Sequence, residues 1–138
     1  MKFLIVLLFA IILFIPAQVY PIEETVLRLH DFSDTKFNGG QPIVFVGKLE
    51  TAYGRPIANA EIIIKSNDTP CPSDGIVAKG LTDKKGRFWI YTLTKIWDET
   101  DNMITVNAIF NGDENYSSSI SRGQIVVVYP SNAERCDN

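Results

Sequence analysis

Apolar and polar residues alternate along two neighbouring stretches near the end of the chain. Between residues 104 and 110 the apolar residues take every second position, which is the period of a strand with one buried face. A polar turn at residues 111–115 follows, and the β-branched run at residues 125–128 predicts a second strand lying deep in a sheet. Because two strands cannot hold a fold alone, the rest of the chain must supply further layers.

The same pattern predicts five more strands upstream. They cover residues 24–30, 42–50, 60–65, 76–81 and 87–93, and stretches rich in glycine, proline, asparagine and aspartate separate them. Seven short strands joined by turns predict an all-β fold, a seven-stranded Greek-key sandwich of two sheets.

The N-terminal residues have a different composition. After Met1 and Lys2 come about thirteen apolar residues that end at Pro16 and Ala17. This is the pattern of a secretory signal peptide, and it is shorter than the roughly twenty residues that a spanning helix needs. We therefore expect residues 1–20 to form an N-terminal signal helix cleaved near Ala17. An uncleaved anchor remains open, because Ile15 stands where a second small residue is preferred.

Length and charge limit the class of protein. The 138 residues suit one domain, which we expect at residues 21–138, with residues 129–138 as a C-terminal tail. The 13 basic residues against 16 acidic ones give a formal charge of -3, without a basic run. The sequence therefore lacks the charge pattern of a nucleic-acid-binding protein. From the N-terminal segment we expect the domain to lie outside the cell, either secreted or at the cell surface, and to contact a membrane only if the segment stays uncleaved.

Three short segments carry motifs. They are Gly-Arg-Pro-Ile-Ala-Asn-Ala at residues 54–60, Thr-Asp-x-x-Gly-Arg-Phe at residues 82–88, and Ala-x-Phe-x-Gly-Asp-x-x-Tyr-x-x-Ser-x-Ser at residues 108–121. Together they resemble the Ig-like domains of secreted or cell-surface proteins of bacteria and archaea, and the middle segment is also similar to carboxypeptidase regulatory-like domains. The resemblance covers residues 42–128 and implies an Ig-like β-sandwich without catalytic activity.

The chain has two cysteines, Cys71 and Cys136, which can form one bridge in an oxidising compartment. If the seven strands alternate in direction, the loop at residues 66–75 and the C-terminal tail lie at the same end of the sandwich. In an Ig-like sandwich the third and seventh strands also share a sheet. We therefore expect a disulfide between Cys71 and Cys136, with free or intermolecular thiols as the alternative.

The same end of the sandwich collects acidic loop residues. They are Asp31, Asp34, Asp68, Asp74, Asp98, Glu99 and Asp101. Calcium prefers several oxygen ligands, and Asp98, Glu99 and Asp101 are the candidate ligands. Their spacing does not match an EF-hand loop, so a solvated acidic surface is the simpler interpretation. We expect no other cofactor.

Two further kinds of surface residue are candidates for function. If Phe88 and Ile90 face the core, as the resemblance implies, Trp89 and Tyr91 face outward and can contact a sugar or another protein. The alternative is that these rings pack on neighbouring strands and under basic side chains. Asn67 and Asn115 each begin an N-glycosylation triplet.

Catalytic chemistry has few candidate residues. His30 is the only histidine, and the sequence places it far from the serine-rich residues 117–121. We predict a structural or protein-binding module that is not an enzyme and whose partner is an extracellular or cell-envelope protein. The alternatives are a carbohydrate- or calcium-dependent ligand-binding module, or an accessory subunit of a secreted enzyme or surface layer.

Overall fold

The protein is described by a computed structural model of residues 20–32, 35–66, 74–93 and 103–129. Within these ranges the structure has nine strands and no helix. The strands are β1 (Thr25–Leu29), β2 (Lys36–Asn38), β3 (Pro42–Thr51), β4 (Glu61–Ser66), β5 (Ile76–Leu81), β6 (Arg87–Leu93), β7 (Met103–Phe110), β8 (Ser119–Ile120) and β9 (Gln124–Tyr129).

Seven of these strands overlap the predicted ones, and β2 and β8 are additional. These two strands have three and two residues, too few to show an alternating pattern in the sequence. The predicted signal helix lies outside the described residues. Within the described ranges, no helix is long and apolar enough to cross a membrane.

The strands form two sheets arranged as a sandwich. The smaller sheet has the order β1-β3-β6, and the larger has the order β2-β9-β7-β4-β5, with β8 also pairing with β7. The pairing of β2 with β9 is parallel, and the other strand pairs are antiparallel. The predicted third and seventh strands, β4 and β9, share the larger sheet as expected.

The core lies between the two sheets and consists of alternate residues from the long strands. Phe45 of β3 and Phe88 of β6 face Ile62 and Ile64 of β4 and Val106 of β7 in one cluster of fully buried side chains. This is the burial that the alternating pattern predicts. The long strands β3, β4, β6 and β7 therefore each have an inner face that forms the core and an outer face that does not.

The prediction that residues 125–128 form a strand lying deep in a sheet is confirmed in position, but only one face of that strand is buried. Val126 and Val128 of β9 are buried, but Ile125 is 55% exposed. The strand does lie inside the larger sheet, between β2 and β7. A continuous apolar run resembles a strand covered on both faces, whereas here half of the run faces outward.

A tight turn between β5 and β6 sets the position where β6 begins. The Asp83 Oδ1 atom accepts hydrogen bonds from the backbone N–H groups of Lys85 at 2.8 Å and Arg87 at 2.9 Å. Gly86 has a φ of 71°, a backbone conformation in this turn that favours glycine. The turn fixes Arg87 at the start of β6.

The turn after β7 joins the two sheets. Asp113 Oδ1 accepts hydrogen bonds from the N–H groups of Asn115 and Tyr116, and the Tyr116 ring packs against the core. Asp113 therefore organises the backbone of this turn, and Tyr116 covers part of the core. The Ser117 hydroxyl then accepts a hydrogen bond of 3.1 Å from the N–H of Thr25, a residue 92 positions earlier. This bond connects β1 of the smaller sheet to the chain that leads into β8.

Gly47 marks a close approach inside the smaller sheet. It lies opposite Phe88, whose ring takes up the space that a side chain at position 47 would need. A Cβ atom there would also overlap the backbone oxygen of Arg28. Position 47 therefore requires glycine for space.

Candidate functional site

The outer face of the smaller sheet places three cationic side chains in one row. Arg28 of β1 lies opposite Lys48 of β3, and Lys48 lies opposite Arg87 of β6. Successive strand residues point to opposite faces, and their neighbours Leu29, Phe88 and Leu49 are buried, so the three cations point outward. We call Arg28, Lys48 and Arg87 the cationic row.

Aromatic and aliphatic side chains continue the same outer face along β6. Trp89 lies opposite Val46, and Tyr91 lies opposite Val44. Trp89, Tyr91 and Leu93 are 53%, 64% and 53% exposed. The predicted outward orientation of Trp89 and Tyr91 is therefore confirmed. We call Val44, Val46, Trp89, Tyr91 and Leu93 the apolar face.

One basic side chain, Arg87, partly covers this face, as the alternative interpretation proposed. The Arg87 guanidinium lies over the Trp89 ring at 4.8 Å from the ring centroid, a cation–π distance. Arg87 also forms an ion pair of 3.0 Å with Asp83. One face of the Trp89 ring is thus taken by Arg87, and half of the residue still remains exposed.

An open groove of about 470 Å³ runs across all three strands of the smaller sheet. Its lining consists of Arg28, Leu29, His30, Val46, Gly47, Lys48, Arg87 and Trp89. This set contains the whole cationic row and the only histidine, and it includes no acidic side chain. The groove thus combines positive charge with part of the apolar face.

Glu50 lies beside the cationic row and neutralises part of its charge. Its nearly buried carboxylate accepts hydrogen bonds from Arg28 Nη1 at 2.7 Å and from Lys48 Nζ at 2.6 Å. The hydrogen bond from Lys48, together with the charges of Lys48 and Arg28, holds the pKa of Glu50 below its ordinary value, although burial acts in the opposite direction. Glu50 is therefore ionised at neutral pH and keeps Arg28 and Lys48 on adjacent strands.

Replacing Glu50 by glutamine should lower the free energy of unfolding by about 1 to 2 kcal/mol at neutral pH, because Arg28 and Lys48 lose their shared carboxylate. The lowered pKa means that the stabilisation is present above the ordinary value of 4.5 and disappears as the pH falls through the lower folded-state value. Urea unfolding should show a clear difference in the free energy of unfolding between wild type and variant at about pH 7 and a smaller difference at about pH 3.

The matched control for that experiment is Glu61→Gln. Glu61 lies exposed on the larger sheet, 3.9 Å from Lys79, and exposed pairs contribute little. The control should show a small difference from wild type at both pH values. A Glu50→Gln difference that is equally large in acid would contradict the assigned role of Glu50.

Several predicted site residues lie outside the described residues. They are the calcium candidates Asp98, Glu99 and Asp101, the cysteines Cys71 and Cys136, and Asn67. Calcium binding and the disulfide therefore stay predictions. Among the residues that the structure describes, no group of three or more His, Cys, Asp or Glu side chains could hold a metal ion.

Asn115, the second predicted glycosylation residue, lies exposed in the turn after β7. Its own N–H is bound to Asp113 and its carbonyl oxygen accepts a hydrogen bond of 2.9 Å from the N–H of Glu23. The backbone of the triplet is thus fixed on both sides, while the side chain faces solvent.

The serine-rich segment has structural roles. The Ser117 hydroxyl accepts the N–H of Thr25, and the buried Ser121 hydroxyl accepts the N–H of Ala108 at 2.9 Å. Both serines therefore satisfy backbone N–H groups. His30 lies elsewhere, at the groove of the smaller sheet.

The larger sheet has a second exposed apolar surface that sequence analysis did not identify. Its exposed members are Met103, Ile120, Ile125 and Tyr129. Ile120 lies opposite Ile109, and Met103 lies opposite Val127, which extends the surface across β8, β7 and β9. The sequence contained one indication of this surface. The polar residues Thr105 and Asn107 alternate with the buried residues of β7, which shows that the outer face of β7 is not part of the core. The outer face of the neighbouring strand β9 is then not part of the core either.

No protein-family model and no curated protein matches this sequence.

Proposed function

We propose that this protein is a secreted or surface-exposed Ig-like module that serves a structural or protein-binding role without catalysis. The exposure of Trp89, Tyr91 and Leu93 side by side on one strand carries this proposal. Aromatic residues are enriched in protein interfaces, and an exposed apolar surface of this kind is typical of a binding surface. The N-terminal apolar segment supports export of the domain to the outside of the cell.

The strand arrangement supports the Ig-like part of the proposal. The smaller sheet combines the predicted first, second and fifth strands, and the larger sheet combines the third, fourth, sixth and seventh. In the constant-type Ig sandwich the fourth strand lies beside the fifth, whereas here β5 pairs with β4. The proposed fold is therefore an Ig-like Greek key whose fourth strand lies in the larger sheet, with β2 and β8 as short additions.

The apolar face offers a useful amount of binding energy. Full burial of one large apolar side chain contributes about 1.5 to 3 kcal/mol, and roughly half of each of Trp89, Tyr91 and Leu93 remains to be buried. These three residues can therefore contribute about 3 kcal/mol before the costs of association. This contribution suits a partner that also makes polar contacts at the rim.

Carbohydrate binding is the second candidate function, and one observation favours it. Trp89 and Tyr91 lie two residues apart on the same face of β6, so their rings are separated by about 7 Å along the strand. Two rings at that spacing can contact neighbouring sugars of a chain. The accessory-subunit alternative involves the same face, with a secreted enzyme or a surface-layer protein as the partner.

The test is capture of partners from the cell envelope of the host. Wild type should retain one abundant protein, and the double variant Trp89→Ser/Tyr91→Ser should lose it, because the variant removes both aromatic rings of the apolar face and changes no core residue. The matched control is Met103→Ser/Ile125→Ser, which removes exposed apolar residues from the other sheet. All three proteins should melt within a few degrees of one another by circular dichroism.

Two outcomes of that test would change the proposal. Retention of the same protein by the Trp89→Ser/Tyr91→Ser variant would exclude the apolar face as the binding surface. Binding to a glycan array that depends on Trp89 and Tyr91, without a retained protein, would replace protein binding by carbohydrate binding.

A further inference from the structure

The cationic row is unusual because it places like charges directly opposite one another on adjacent strands. Arg28, Lys48 and Arg87 occupy consecutive strands in the same row. Like charges at such positions destabilise a sheet. The chain as a whole carries a formal charge of -3, so the positive row does not follow from a generally basic composition.

Two carboxylates balance the row only in part. The nearly buried Glu50 binds Arg28 through one oxygen and Lys48 through the other, and Asp83 binds Arg87. The hydrogen bond from the Arg87 backbone, with further ones from Lys85 and the Arg87 side chain, lowers the pKa of Asp83, so it is ionised at neutral pH like Glu50. Three cations against two carboxylates leave a net positive charge.

That positive charge is accessible from the groove. The Arg28 side chain is 68% exposed and the Lys48 side chain 44%, whereas the Glu50 side chain that pairs with them is 10% exposed. The cations therefore lie at the surface and their main counter-charge lies beneath them. An anion entering the groove meets the donors of Arg28 and Lys48 before it meets a carboxylate.

We infer that the groove binds an acidic segment of the partner protein, in which a carboxylate lies next to an apolar side chain. The carboxylate contacts the cationic row, and the apolar side chain contacts Val46 and Trp89 in the next row. This inference rests on the protein-binding function proposed above and names the chemistry of the partner. Hydrogen bonds between a guanidinium and a carboxylate supply geometric specificity beyond charge alone.

The composition of the face favours a protein segment over an acidic glycan. One face of Trp89 is already occupied by the Arg87 guanidinium, so a sugar ring would compete with Arg87 for stacking. The remaining apolar face includes the aliphatic residues Val44, Val46 and Leu93 beside Tyr91. Aliphatic surface suits the apolar side chains of a protein and offers no ring for a sugar to stack on.

The experiment uses polymers of defined chemistry as probes. A glutamate–tyrosine copolymer should bind the immobilised domain, a lysine–tyrosine copolymer should not, and polygalacturonate should compete weakly. The variant Arg28→Gln/Arg87→Gln should lose about tenfold in affinity for the glutamate–tyrosine copolymer, while Arg28→Lys/Arg87→Lys should recover part of it. Wild-type binding should also weaken as salt rises from about 50 mM to about 500 mM.

The matched control removes two charges from the other sheet. Lys65→Gln/Lys79→Gln lies on the larger sheet, away from the groove, and should leave the affinity within about twofold of wild type. An equal loss in this control would show a non-specific response to charge and overturn the inference. So would unchanged affinity in Arg28→Gln/Arg87→Gln, or tighter binding of polygalacturonate than of the copolymer.

Failure of this inference can be distinguished from failure of the proposed function. If the envelope protein is retained in a Trp89-dependent way but the Arg28→Gln/Arg87→Gln variant retains it equally, the module binds protein without recognising an acidic segment. If the Trp89→Ser/Tyr91→Ser variant also retains it, the apolar face is not the binding surface and both proposals fail.

Discussion

Replacing Phe88 by alanine should lower the free energy of unfolding by about 3 to 5 kcal/mol. Phe88 is fully buried on the inner face of β6, and its ring also covers the backbone of Gly47. The substitution removes the apolar contacts of the ring and leaves a cavity between the two sheets. Small domains have a total stability of about 5 to 15 kcal/mol, so the denaturant midpoint should fall by a large fraction. Urea unfolding followed by circular dichroism measures the change.

The control for this prediction lies three residues along the same strand. Tyr91→Ala removes an equally large ring from the outer face, where Tyr91 is mostly exposed, and should cost about 1 kcal/mol or less. The contrast between the two variants separates the inner from the outer face of β6. A cost below about 1 kcal/mol for Phe88→Ala would mean that the core is not packed as described.

Replacing Gly47 by alanine should cost about 3 kcal/mol, at the upper end of the usual range for overpacking. The added Cβ would overlap the Phe88 ring and the backbone oxygen of Arg28. A side chain can turn away, but the backbone of β1 cannot move without disturbing its pairing with β3. Since Gly47 lies under the groove, the substitution should also weaken the copolymer binding described above.

Gly123→Ala is the matched control for Gly47→Ala. The nearest atom to a Cβ at position 123 is the Cγ2 atom of Thr105 at 3.1 Å, which can give way by a small side-chain movement. This control should therefore lose about 1 kcal/mol or less. Equal losses at positions 47 and 123 would indicate that the Gly47→Ala cost comes from glycine removal in general rather than from the overlap with Arg28 and Phe88.

Sequence alternation predicted which residues of a long strand share one face, and for β6 the family resemblance indicated which of the two faces is the inner one. Phe88 and Ile90 point inward and Trp89 and Tyr91 outward, because strand residues alternate whatever the sheet topology is. The turn at Asp83 could also be predicted from the sequence, because an aspartate followed three residues later by a glycine is typical of a tight turn. In the structure the Asp83 carboxylate accepts hydrogen bonds from the backbone of that turn. These features depend on residues close together in the chain.

The cationic row could not be predicted in the same way. Arg28, Lys48 and Arg87 come from three strands far apart in the chain, and they form a row only because of the register of β1 on β3 and of β3 on β6. A shift of one residue in either pairing would place a cation opposite an inward-facing residue. The exposure of Ile125 was missed for a related reason: a run of apolar residues does not show which of its faces the fold covers.

The hydrogen bond between Thr25 and Ser117 affects how the domain can fold during synthesis. It joins residues 92 positions apart, so β1 cannot reach its final environment until most of the chain has been made. Folds that depend on such long-range contacts form slowly compared with helical ones. The nascent chain therefore remains without its completed sandwich, with the residues of both inner faces accessible, until the segment carrying Ser117 leaves the ribosome.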